Sequence, residues 1–131
     1  MGIDCYLINP DTNKLHAEET NQEHRMGFNI MSGDAGYLRE AYHGGPYATQ
    51  VLLPEGWIDE HDRDEEGNFT LEASTLRNRL PKTLKAAAIR NRQNYSGQDE
   101  ELVLKSFKDF VDLAEDLEKK NGKPCKFYVS Y

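Results

Sequence analysis

The stretch DEELVLKSFKDFVDLAEDLEKKNG, residues 99–122, decides how this chain folds. Asp99 is a residue type that caps helix starts, Glu100 and Glu101 occupy the turn where the helix dipole favours negative charge, and Lys119-Lys120-Asn121-Gly122 is a helix stop. Val103, Phe107, Phe110, Val111, Ala114 and Leu117 recur at helical spacing, so one side of this helix must be covered. The next residues supply the cover. After Pro124, the side chains of Cys125, Phe127, Val129 and Tyr131 alternate with Lys126, Tyr128 and Ser130, the period of a strand.

The opposite end of the chain repeats that alternation. Ile3, Cys5 and Leu7 are apolar against Asp4, Tyr6 and Ile8, which predicts a strand over Gly2 to Ile8. Asn9-Pro10-Asp11-Thr12-Asn13 is a turn-forming cluster, after which Lys14 to Glu18 is expected to return as a hairpin partner. A further short strand is expected around Gly27 to Met31. Ser32 or Asp34 caps a predicted short helix with Tyr37, Leu38, Ala41 and Tyr42 on one face, ended by Gly44-Gly45-Pro46. Pro54 and Gly56 break the segment Tyr47 to Leu53. Asp59 to Asn68 has no apolar residue and reads as a solvated loop. Ser74 or Thr75 caps a helix bearing Leu76, Leu80, Leu84, Ala87 and Ala88, which Pro81 is expected to kink or restart. The simplest packing is α+β: a small sheet containing the N-terminal and C-terminal strands, covered on one face by helices.

The 131 residues suffice for one core and predict a single domain over 1–131. The longest apolar runs, Cys5 to Ile8 and Ala86 to Ile89, have four residues each, against about 20 for a membrane span. No basic region precedes an apolar one at the N-terminus, so a cytoplasmic location without a membrane is expected. Two cysteines without a CxxC pair argue against a disulfide scaffold or structural zinc. Both fall on the apolar side of their strands, which predicts inert core thiols.

The formal charge is -7, but it is unevenly spread. Residues 55–72 carry eight acids against one base, whereas 73–98 carry six bases and no acid. That basic run, Arg77, Arg79, Lys82, Lys85, Arg90 and Arg92, is expected to face the acidic loop or the acidic last helix. The overall acidity argues against nucleic acid as a partner. Read on a helix, Arg39 and His43 stand four apart, with Tyr42 and Tyr47 beside them and the glycines allowing close approach. Arg39, Tyr42, His43 and Tyr47, with Arg77 or Arg79, are therefore the expected ligand-binding residues. The expected function is a binding module recognising a partner protein or a small anionic ligand. The alternative is a hydrolase or transferase acting on a phosphate-bearing substrate, with His43 as acid or base and Arg39 holding charge, although no nucleophile is identified. A second alternative is a weak calcium-binding loop at Asp62, Asp64 and Glu66, which follow the one-three-five rhythm of an EF-hand loop. Its twelfth position is Ala73 rather than glutamate, which argues against it. No phosphate-cradling GxxxxGK and no GxGxxG is present, and no other cofactor is implied.

Met1-Gly2-Ile3-Asp4, the run Tyr37-Leu38-Arg39-Glu40-Ala41-Tyr42-His43-Gly44-Gly45-Pro46-Tyr47-Ala48-Thr49, Leu76-Arg77-Asn78-Arg79-Leu80-Pro81, Ser106-Phe107-Lys108-Asp109-Phe110-Val111 and the closing Ser130-Tyr131 together resemble a family of uncharacterised bacterial and phage proteins of about this length. The resemblance spans nearly the whole chain and implies one intact domain. It carries no activity, catalytic residue or cofactor to any position.

Overall fold

A computed structural model describes residues 2–20, 32–41, 46–57, 64–94 and 99–131. Strand β1 (Gly2–Ile8) lies between β2 (Tyr37–Ala41) and β4 (Cys125–Ser130), with β3 (Phe69–Leu71) beyond β4. All pairs are antiparallel, and the sheet order is β2-β1-β4-β3. The two ends of the sequence are thus neighbours, as their alternation requires. Cys5 stands opposite Leu38 on one side and Val129 on the other, so the apolar residues of three strands share one face.

Helices α2 (Ala48–Leu52), α3 (Ala73–Asn94) and α4 (Glu100–Asn121) contribute the other half of one hydrophobic core with that face. Phe107 and Phe110 are fully buried, and the Phe110 ring lies 5.9 Å from that of Phe127. α4 begins and ends as its sequence demands. The Asp99 side chain accepts a hydrogen bond from the Glu101 amide, and Gly122 takes the left-handed φ of 70° that closes the helix. Among the described residues no helix is long and apolar enough to cross a membrane.

Four expectations need correction. Tyr37 to Ala41 is a strand, not a helix: a two-turn helix nucleates at a cost, whereas the side of β1 offers a full ladder of hydrogen bonds. Its pattern misled because the inward positions are Leu38 and the charged Glu40, opposite Cys5 and Ile3. Lys14 to Glu18 does not return as a strand; Leu15 alone bridges Ile8, and α1 (His16–Glu19) makes a single helical turn. α3 runs unbroken through Pro81. The proline is exposed, so water can serve the carbonyl it leaves without a donor, while Leu76, Leu80 and Ala87 anchor both halves in the core. Tyr47 to Leu53 is not merely a broken segment but carries α2, followed by a 3-10 turn at Pro54–Gly56. The short β3 escaped sequence reading because three residues hold no measurable period. The strand expected at Gly27 to Met31 lies outside the described residues.

Candidate functional site

Arg39 projects from β2 on the sheet face away from the helices, directly opposite Asp4. Its guanidinium lies 3.6 Å from the Asp4 carboxylate, which also accepts the Tyr37 hydroxyl. Burial, and then that carboxylate, push the Tyr37 phenol far above its ordinary range. Tyr37, Tyr6 and Tyr128 form a row across three strands, with ring centroids 5.2 Å and 6.3 Å apart. On the same face Lys126 donates to Asp64 and Asn13, each at 3.0 Å. The charges on this face therefore satisfy one another.

Tyr42 and His43 lie outside the described residues. Tyr47, at the start of α2, carries the Arg90 guanidinium 4.5 Å above its ring. Arg77 and Arg79 are two residues apart on α3 and so point to different sides. Arg77 reaches across to α4, donating to Glu115 and, at 2.7 Å, to Asp112. Arg79 forks onto both carboxylate oxygens of Glu55 at 2.9 Å and 2.7 Å, and also donates to the Leu52 carbonyl. The described residues of the expected ligand site thus engage separate partners on β1, α3, α4 and the Pro54–Gly56 turn.

Of the expected calcium ligands, Asp62 lies outside the described residues and Glu66 is exposed. Asp64 Oδ1 accepts from the Glu66 and Asn68 amides, and Oδ2 accepts from Lys126. Burial pulls the Asp64 carboxyl upward, but Lys126 and the two amides outweigh it and hold the group below the usual carboxylate range. Both oxygens are already occupied. Among the described residues no group of three His, Cys, Asp or Glu side chains could hold a metal ion. Cys5 and Cys125 are buried and free. Burial raises the Cys5 thiol strongly, with the charges of Glu40 and Asp4 adding to it, and burial pushes Cys125 up to about 11.

Sequence reading missed a buried polar clamp. Glu40, 3% exposed, accepts from the amides of Ala48 and Thr49 at 3.0 Å and 2.9 Å, from the Thr49 hydroxyl at 2.8 Å, and from Arg90 Nε at 2.7 Å. Arg90 also donates to the Ala41 carbonyl. This cluster ties β2 to the start of α2 and the end of α3, and its donors saturate the carboxylate. The only sequence signal was a basic run whose partners lay elsewhere in the chain. A cleft of about 520 Å³ where α3 starts and α4 ends is lined by Ser74, Glu118, Lys119 and Lys123. The Ala73 amide already donates there to Glu118 at 2.6 Å, so the helix start is capped from within the chain.

One surface differs. Arg77 pairs with Asp112 and Glu115 while Arg92 pairs with Glu100, so α3 and α4 run antiparallel in a known register. That register sets Ile89 level with Leu102 along the axes, but Lys82, Lys85 and Ile89 share the face of α3 turned away from α4, whereas Leu102 lies on the flank of α4 turned away from α3. Ile89 is 44% exposed and Leu102 62%, two of three large apolar side chains bared among the described residues. The third, Tyr131, stacks on Trp57 at 5.5 Å. Lys82, Lys85 and Lys108 are exposed, and none has an ion pair among the described residues. Compared with known proteins, the chain matches no family model, no curated protein and no solved structure.

Proposed function

We propose that this protein is a binding module for an acidic protein partner, engaged through the exposed face of α3 that carries Lys82, Lys85 and Ile89. The observation that carries the reading is a contrast in one molecule. The described arginines of the expected site each already hold a carboxylate, whereas Lys82 and Lys85, which have no ion pair among the described residues, share an exposed face with the bared Ile89. That combination has the anatomy of an interface: an apolar anchor within a charged rim. A small anionic ligand has less support, because Arg39, Arg77 and Arg79 would have to leave Asp4, Glu115 and Glu55 to bind it.

Covering what remains exposed of Ile89 contributes roughly 1 kcal/mol. Rim ion pairs add roughly 0.5 kcal/mol apiece and are screened by salt. The interaction is therefore transient and weakens as ionic strength rises. Photo-crosslinking amino acids placed at positions 78 and 89 in expressing cells test it, with position 70 on the far side of the sheet as control. A protein trapped from 78 and 89, lost in Lys82→Glu/Lys85→Glu, supports the reading. Equal trapping from all three positions removes it.

A further inference from the structure

We draw no further inference here: the strongest candidate, the row of Tyr37, Tyr6 and Tyr128 across the sheet face away from the helices, carries nothing because Tyr37 is only 1% exposed, the charges flanking the row pair with one another, and nothing in the structure shows what covers it.

Discussion

Replacing Arg90 with methionine should be among the most damaging single changes to this protein. Methionine keeps much of the stem volume but removes the guanidinium that sits 2.7 Å from Glu40. The carboxylate keeps the Ala48 and Thr49 donors but becomes a buried charge without a counter-charge. Breaking a buried pair in this way costs about 3–5 kcal/mol. The Ala41 carbonyl also loses a donor and Tyr47 its cation, though these losses overlap with the first. We expect about 4 kcal/mol in total, a large share of the roughly 5–15 kcal/mol that stabilises a domain. Urea unfolding followed by circular dichroism should show a lower midpoint at unchanged slope, and melting should fall by about 15 °C. Adding Glu40→Gln to Arg90→Met should recover about 1 kcal/mol or more, because glutamine removes the buried charge and its one oxygen still accepts from Thr49, although its amide nitrogen no longer serves the Ala48 amide. A loss below about 1 kcal/mol for Arg90→Met, or no recovery in the double variant, would refute the account of a sealed ionic clamp.

Gly33→Ala should destabilise by about 2 kcal/mol or more, because its new Cβ would stand 1.7 Å from the Ser106 carbonyl oxygen on α4; thermal melting within a degree of the parent would show that the turn does not rest on that helix. Both thiols should resist a disulfide-exchange reagent in the native protein and react fully in denaturant, since burial raises each thiol above its ordinary range; rapid native labelling would contradict their burial. Asp64 is held below its unfolded value, so its contribution is present above that value and fades as pH falls through the folded one. Lys126→Met should therefore be less stable than the parent near neutrality, with the gap closing below about pH 4; a gap independent of pH would remove the Lys126–Asp64 coupling.

Where two levels of the chain agree, the sequence was readable. Asp99, the stripe from Val103 to Leu117 and Gly122 fit one helix and no strand, and the alternation from Cys125 onward fits one strand and no helix. Local geometry alone settles such segments, since cap, period and stop depend on residues within a few positions of each other. The neighbouring of β1 and β4 followed, because two strands with one apolar face each are most simply buried together. The basic run between Ala73 and Gln98 likewise announced that it needed acids, and α4, the Pro54–Gly56 turn and β2 supply them to its four arginines, while Lys82 and Lys85 have no ion pair among the described residues.

The rest depended on partners distant along the chain. Tyr37 to Ala41 has a pattern open to either helix or strand, and only the ladder on β1 and the arrival of Arg90 beside Glu40 decide it. Periodicity counts charge as outward, so a buried glutamate inverts the signal unless its counter-ion is known. The candidate face was hidden for the same reason: a lysine's lack of a partner, or an isoleucine's exposure, is a property of the packed surface. Composition along the chain set how many charges there were, and the tertiary fold alone chose which of them found a counter-charge.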